Sequence, residues 1–234
     1  MEPIAAGIRL EANGLAQSIN AMQLDMNIMG IFGENVVGFD KIGYQRKEAV
    51  VSSFAEYIGS NALSAVTDNQ VGRLFMSERP LDVALSEKGH FQVLNKDGNI
   101  ELTRDGRFKI DKEGNLLTQE NAKVLSITGL PIKLPFVPDS LDKIKIGADG
   151  KVSVFDEKVR GQVEAGTIGV VNDQGAFLAT NCVRQGYLES SNVQLEREYM
   201  EMVNYKRSFE ANRQIFIMES TNLQKVISQL GSVS

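Results

Sequence analysis

Two residues of this chain could support nucleophilic or metal chemistry, and each type occurs only once. His90 is the only histidine, so a histidine metal site or a Ser-His-Asp triad would depend on this one side chain. Cys182 is the only cysteine and has no histidine near it in the sequence, which favours a buried, unreactive thiol. Because catalysis needs several converging groups, we interpret His90 as a residue at the edge of a strand.

Acidic residues beside glycines are the next candidates, since carboxylates bind calcium. They occur at Asp97-Gly98, Asp105-Gly106 and Glu113-Gly114. None fits the calcium loop D-x-[DN]-x-[DN]-G with its distant glutamate. Phosphate loops of the G-x-x-x-x-G-K-[ST] and G-x-G-x-x-G types are also missing from the sequence. We therefore expect no cofactor, no metal and no catalytic residues, and so no enzyme.

Composition narrows the class of protein further. The chain has 234 residues, of which 42% are hydrophobic and 24% charged, as in ordinary globular proteins. A formal charge of -5 disfavours nucleic acid as a partner. No run of about eighteen apolar residues could span a bilayer, and the first residues do not resemble a cleavable secretory signal. We expect a protein that is not integral to a membrane and that leaves the cytoplasm, if it does, without a cleaved signal.

The acidic-glycine pairs predict tight turns in the middle of the chain. Apolar residues alternate with polar ones between these turns, as at Phe91 and Val93, and this period of two is typical of strands. Glycine supplies the positive φ that short hairpin turns need, so we expect it at Gly98, Gly106 and Gly114. Residues 71–192 are therefore predicted to form a mainly antiparallel β domain.

The last part of the chain, residues 193–234, predicts a long helix. Apolar residues recur there every seven positions, which is the spacing of a coiled-coil seam. The complementary positions three or four residues away hold Tyr199, Ile227 and the polar Lys206, Arg213 and Ser220. We expect the charged residues of this helix, Glu198 among them, to form a solvated face or, in an oligomer, to set the register between neighbouring chains. The predicted seam comprises Leu195, Tyr199, Met202, Phe209, Phe216, Leu223, Ile227 and Leu230.

A matching heptad pattern occupies residues 1–34, and Gly30 and Gly33 are expected to end this helix. One helix cannot bury such a stripe alone, so the two terminal helices are expected to pair. The fold class is α+β: paired N- and C-terminal heptad helices with an inserted β domain. Residues 35–70 are predicted to be an extended or irregular connector. The N-terminal seam comprises Ile8, Leu15, Ile19, Met22 and Met29.

Several motifs in family order resemble the flagellar basal-body rod and hook protein family, and most closely its rod members. Near the first helix, the family's N-L-A-N-x-x-T-x-G-F/Y-K-R is matched by Asn35, Gly43, Tyr44 and Arg46. In the middle, P-L-D-x-A-I and T-R-D-G are matched by Pro80, Leu81, Asp82, Thr103, Arg104, Asp105 and Gly106. Before the last helix, G-x-L-E-x-S-N-V is matched by Gly186, Glu189, Ser191, Asn192 and Val193.

This resemblance implies a structural subunit of the flagellar rod, which transmits torque to the hook. Its partners would be copies of itself, other rod and hook proteins, and the flagellar type III export apparatus. Its place would be the basal body in the cell envelope, and both terminal helices would form the subunit contacts. Proximal and distal rod positions both remain open.

Two alternatives remain beside the rod subunit. A hook-type or adaptor subunit would usually carry a longer outer insertion than this chain has room for. A non-catalytic binding module dimerised by its terminal helices would predict a closed dimer and an exposed aromatic cluster on the β domain.

Overall fold

The computed structural model describes residues 2–52, 63–178 and 181–231, with side-chain environments from residue 14 onward. The chain forms two compact units. The helical unit comprises Met1–Val37, Lys47–Asp68 and Gln194–Ser234, and the β unit comprises Gly38–Arg46 and Asn69–Val193. Two long helices with mainly antiparallel strands between them confirm the predicted α+β class.

The helical unit is built on two helices of 37 residues each, α1 (Glu2–Gly38) and α2 (Leu195–Gly231). The helix α1 continues through Gly30 and Gly33 to Gly38, so the prediction that these two glycines end it is wrong. The space beside both glycines is open. In the described chain, neither helix is long and apolar enough to cross a membrane.

The two helices pair in antiparallel directions. The ring centroids of Phe32 and Tyr205 are 5.5 Å apart. Farther along, the Asn212 side chain donates a hydrogen bond of 3.1 Å to Asp25 Oδ2. Between these two contacts the residue number falls from 32 to 25 in α1 and rises from 205 to 212 in α2, so the helices are antiparallel.

The buried face of α1 lies about one residue position away from the predicted stripe. Ile19 of the predicted seam is exposed, whereas its neighbour Ser18 is buried. The buried positions follow spacings of three, four and seven, as a coiled-coil seam requires, but several are polar. From residue 14 onward, the buried residues of α1 are Ser18, Asp25, Ile28, Phe32, Asn35 and Gly38.

A two-stranded hairpin completes the helical unit within the segment predicted as an irregular connector. Strand β1 (Lys47–Val51) pairs antiparallel with β2 (Leu63–Thr67). Val50 and Val66 are exposed on this hairpin. The described part of residues 35–70 therefore contains the end of α1 and one pair of antiparallel strands.

The β unit contains thirteen short strands among its described residues, and every pairing between them is antiparallel. A single 3₁₀ turn, Leu141–Lys143, lies among them. The strands are β3 (Leu74–Met76), β4 (Val83–Leu85), β5 (His90–Leu94), β6 (Ile100–Thr103), β7 (Lys109–Ile110), β8 (Leu116–Leu117), β9 (Lys123–Val124), β10 (Ile144–Ile146), β11 (Lys151–Asp156), β12 (Gly161–Thr167), β13 (Val170–Val171), β14 (Val183–Gln185) and β15 (Tyr187–Glu189).

In the largest sheet, strand β5 pairs with three other strands, β6, β9 and β13. Strands run in the order β13-β5-β9-β8-β7, and β6 also pairs with β5. A second sheet has the order β10-β11-β12, while β14 pairs with β4 and β15 pairs with β3. The rings of Phe91 and Phe108 meet edge to face in the core, with centroids 5.2 Å apart.

The predicted turn glycines divide into two kinds. Gly98 and Gly114 have φ values of +81° and +86°, as the tight turns require. Gly106 does not have a positive φ, so the prediction of a hairpin turn there is wrong. A Cβ at Gly106 would instead overlap the carbonyl oxygen of Val83, whose backbone N–H bonds the Gly106 carbonyl at 3.0 Å. Close backbone approach is what requires glycine at this position.

Candidate functional site: the motif cluster and the terminal helices

Arg104 lies at the centre of the motif residues in the β unit, and it is buried. Its Nε and Nη2 atoms lie 2.7 and 2.6 Å from Glu189 Oε2. Its Nη1 donates to the carbonyl oxygens of Glu87 and Gly89, and Nη2 also donates to that of Leu85. A planar guanidinium with five N–H donors fits such a ring of acceptors better than a lysine would.

Glu189 connects this arginine to two more segments. Its second carboxylate oxygen accepts a hydrogen bond of 2.7 Å from the backbone N–H of Gly72. Its backbone carbonyl accepts another, of 2.8 Å, from Gly43. Gly43 has a φ of +66°, and a Cβ there would overlap the carbonyl group of Arg104. We call Gly43, Arg104 and Glu189 the arginine clamp, because they hold together segments distant in the chain.

Asn192 links the end of the β unit to the segment after α1. Its Oδ1 accepts a hydrogen bond of 2.6 Å from the backbone N–H of Arg46, and its Nδ2 donates to the Gln70 carbonyl. The Asn192 backbone N–H also donates to the Tyr44 carbonyl. The amide side chain therefore joins two segments far upstream.

Asp82 and Gly186 bring a third pair of motifs together. The backbone N–H of Gly186, which has a φ of +74°, donates to the Asp82 carbonyl at 2.7 Å. Asp82 is buried and accepts from the Ser77 hydroxyl at 2.5 Å. Beside it, the Gln185 side chain donates to the Pro80 carbonyl. Leu81 is part of the hydrophobic core.

The remaining motif residues shape local turns. Thr103 Oγ1 accepts a hydrogen bond of 3.0 Å from the Asp105 N–H. The Asp105 carboxylate contacts two nitrogens of Arg107, and this hydrogen bonding raises the pKa of the Arg107 guanidinium. Ser191 Oγ accepts from the N–H of Val193, which is buried.

Asn35 belongs to a separate, buried cluster in the helical unit. Its side chain donates to the Lys47 carbonyl and accepts from the Lys47 N–H, both at 2.8 Å. It also donates to Glu198 Oε2 at 2.9 Å. Glu198 is 0% exposed, so the expectation that it lies on a solvated face is wrong. The available signal was its position three residues after Leu195, which is a seam position.

The predicted assembly residues divide by exposure within one chain. Some of them are half-buried, while others are open to solvent. Leu15, Met22, Met29, Leu195, Met202, Phe209, Phe216 and Leu223 are half-buried, Ile19, Tyr199, Ile227 and Leu230 are exposed, and the side chain of Ile8 lies outside the described residues.

Residues 215–218 of α2 are apolar on all sides of the helix. Ile215, Ile217 and Met218 are 42%, 46% and 58% exposed, while Phe216 between them is half-buried. Four successive positions cover most of the circumference at 100° each. A helix that is apolar all round is normally enclosed by protein.

His90 begins strand β5 and is buried. Its Nε2 lies 2.8 Å from Gln45 Oε1, and its Nδ1 lies 3.5 Å from Asp173 Oδ1. Burial and then the charge of Arg104 lower the pKa of His90, against the opposing effect of the Asp173 and Glu189 carboxylates. Cys182 is buried and unpaired.

The arrangement suits mechanical connection better than reaction chemistry. The clamp atoms are buried and bonded to one another, which leaves no accessible nucleophile there. No group of three or more metal-ligating side chains occurs within the described chain. Hydrogen bonds between these motifs hold segments together that are distant in the sequence. Each such bond contributes to the stability of the β unit.

Two family models match the chain. The flagellar hook protein FlgE/F/G D1 domain matches residues 84–154, which include Arg104. The flagellar basal body rod FlgEFG protein C-terminal model matches residues 184–230, which include Glu189 and Asn192. The two matched segments together make up about half of the chain.

Curated relatives match over nearly their full length. The flagellar basal-body rod protein FlgG of Bacillus subtilis (strain 168) is 26% identical, with 92% of this chain and 97% of that protein covered. FlgG of Buchnera aphidicola subsp. Acyrthosiphon pisum (strain APS) is 29% identical, with 91% and 96% covered. FlgF of Caulobacter vibrioides is 27% identical, with 91% and 93% covered. With the motif convergence and the paired terminal helices, these matches show that the chain belongs to the flagellar basal-body rod protein family.

Proposed function

We propose that this chain is a structural subunit of the flagellar basal-body rod that polymerises through its terminal helices. The observation that supports this proposal most directly is the apolar run at residues 215–218, which one partner helix cannot cover. Neighbouring copies on several sides would bury it, as in a helical array built from non-closing contacts. Other rod and hook proteins are further proposed partners, and torque transmission to the hook follows from this axial position.

Export through the flagellar type III apparatus and a place in the cell envelope are part of the same proposal. The polar seam supports it, because Asp25 and Asn212 stabilise the helix pair less than a continuous apolar seam would. A helix pair of low stability unfolds readily for passage through a narrow channel. We propose no catalytic activity, since the clamp residues are occupied by structural hydrogen bonds.

Imaging basal bodies tests this function. Cells lacking the chain should show a truncated rod without a hook, and complementation should restore it. In the same cells, Phe216→Asp and Ile217→Asp should prevent rod assembly, because each places a charge in an apolar contact. The exposed polar substitution Asn204→Asp is the matched control on α2. Intact rods in cells lacking the chain would contradict the proposal.

A further inference from the structure

The side of α1 that faces away from α2 carries no charged side chain over residues 14–33. Asp25 is the only charged residue in this stretch, and it is buried, with its carboxylate bonded to Asn212 of α2. The exposed residues here are apolar, carry amides or are glycine. Solvated helix faces normally carry charged residues, so this face has the composition of one that another protein surface covers.

The large apolar residues exposed on this side of α1 form a straight row. Its members are Ile19, Met26 and Val37, of which the last two are 57% and 70% exposed. Ile19 and Val37 are 18 residues apart, which is five helical turns, so they point in the same direction about 27 Å apart. Met26 deviates from that line by about 20°. We call these three residues the outer row.

The exposed side of α2 repeats the same distance. Tyr199 and Met200 form one apolar patch, and Ile217 and Met218 form another. Each residue of the first patch precedes its equivalent in the second by 18 residues, so both patches lie on one face, about 27 Å apart. We call them the paired patches.

The other described elements are too short to match the outer row. The longest strand, β12, has seven residues and extends about 24 Å, and its exposed residues Gln162 and Glu164 are polar. An outer row that bound the outer row of another copy would close a dimer, whereas the proposed polymer needs contacts between different faces. The paired patches of α2 are therefore the surface of this chain that fits.

We propose that the outer row of α1 binds the paired patches of α2 in a second copy of this chain, with the two helices antiparallel. Copies in a polar array share one direction along it, so α1 of one copy runs opposite to α2 of the next, as it does within each chain. Ile19 then meets Ile217, and Val37 meets Tyr199. This contact rests on the proposed polymerisation and names a partner surface for the apolar run at residues 215–218.

The charged residues between the paired patches have room in this contact. Lys206 lies opposite Gly30 in this register, and the space beside Gly30 is open. The methylenes of a long side chain can cross a glycine while the charged end reaches solvent. Glu210 carries the opposite charge four residues after Lys206, which limits the net charge that the contact encloses.

Charge-pair rescue in cells lacking the wild-type chain tests the pairing, with the amount of chain in isolated basal bodies measured by immunoblot. Ile19→Glu and Ile217→Lys should each lower this amount by about tenfold, because each places an unpaired charge in an apolar contact. The double variant should recover most of the loss, since the opposite charges then meet. Normal amounts of either single variant, or no recovery in the double variant, would overturn the proposal.

The matched control combines Ile19→Glu with Tyr199→Lys. The two charges then lie about 27 Å apart in the antiparallel contact, so no recovery is expected. Recovery with this pair instead would mean that the helices run parallel, against the proposal.

Co-expression shows whether the contact joins two copies. Chains carrying Ile19→Glu alone and chains carrying Ile217→Lys alone should together enter basal bodies in larger amounts than either does by itself, because neighbouring copies supply the two charges. Recovery in the double variant without recovery on co-expression would place the contact within one chain and exclude the proposal.

Folding of the variants is checked separately. Ile19 and Ile217 are both exposed, so thermal unfolding of each purified full-length variant should match that of the wild type. If one of them unfolds at a lower temperature, Val37→Glu with Tyr199→Lys applies the same rescue test at the other end of the contact. If Phe216→Asp prevents rod assembly while Ile19→Glu assembles normally, polymerisation stands and the pairing is excluded. Intact rods in cells lacking the chain would remove the proposed function as well.

Discussion

Arg104 and Glu189, which are 85 residues apart in the chain, form an ion pair whose side chains are only 1% and 2% exposed. Burying such a pair costs desolvation free energy. The pair stabilises the fold only when the remaining hydrogen-bond donors and acceptors of both side chains are satisfied. Carbonyl oxygens of the segment before β5 and the Gly72 N–H do so here. The pair therefore acts as a connector of chain segments rather than as an isolated charge contact.

Glu189→Gln should strongly destabilise the β unit, because it leaves the buried Arg104 charge uncompensated. The expected loss is about 3–5 kcal/mol, the usual cost of breaking a buried pair from one side. Urea unfolding of the purified full chain measures it. Glu157→Gln is the control, since Glu157 pairs with Lys143 at 2.8 Å but is largely exposed, and it should cost at most about 1 kcal/mol. Equal losses from the two variants would contradict the clamp.

Gly106→Ala should destabilise the β unit through a steric clash with the Val83 carbonyl. Forcing extra volume into a packed site typically costs about 1–3 kcal/mol, and here the obstacle is backbone, which cannot rotate away. Gly98→Ala is the matched control, because its surroundings are open and only its φ of +81° opposes a side chain. Thermal unfolding compares the two variants. A Gly106→Ala variant no less stable than Gly98→Ala would show that the backbone approach is not required.

Asn35→Ala should loosen the start of β1 within the helical unit. The variant loses two hydrogen bonds to the Lys47 backbone and one to Glu198, a loss of about 1–3 kcal/mol. Amide hydrogen exchange should accelerate in residues 47–51 and near residue 198. Asn204→Ala, an exposed change on α2, should leave those rates unchanged. Unchanged exchange in the Asn35 variant would contradict this role.

His90 should make the stability of the β unit fall in mild acid. Burial lowers the pKa of His90 in the folded chain, so the unfolded chain binds a proton first as the pH falls. The stabilising contribution is present above the unfolded pKa of about 6.5 and is lost as the pH falls towards the folded value. Urea midpoints between pH 8 and pH 5 measure this loss.

The control for that titration is His90→Phe, which keeps an aromatic side chain but cannot bind a proton. Its urea midpoint should change less over the same pH range, because the variant lacks the His90 proton-binding site and retains only the other ionisable groups that both proteins contain. An identical pH dependence in both proteins would exclude His90 as the cause.

The fold class was predictable because it depends on periodicity. Heptads at both ends and period-two segments between them are local signals, and they place α1, α2 and strands such as β5 without knowledge of contacts. The turns at Gly98 and Gly114 were predictable for the same reason, since their φ values depend on neighbouring residues alone.

The exact helix faces and the clamp were not predictable from apolarity. The seam of α2 passes through Glu198 rather than the more apolar Tyr199, because Glu198 bonds Asn35 from a distant part of the chain. Gly106 likewise depends on the Val83 carbonyl, a tertiary neighbour that no local turn pattern indicates. Family motifs pointed to Arg104 and Glu189, but not to their pairing with each other.

The hydrogen bond between Asn35 and Glu198 spans 163 residues of sequence, and it has a consequence for timing. During synthesis from the N-terminus, α1 cannot obtain its partner helix until almost the entire chain has been made. Contacts of such separation form late. The strands up to β13 can pair before α2 is made, as β5 does with β6, whereas β14 and β15 close the β unit only shortly before it. The helix pair therefore depends on the last part of the chain to be made, and a chain interrupted before α2 would leave α1 without its partner.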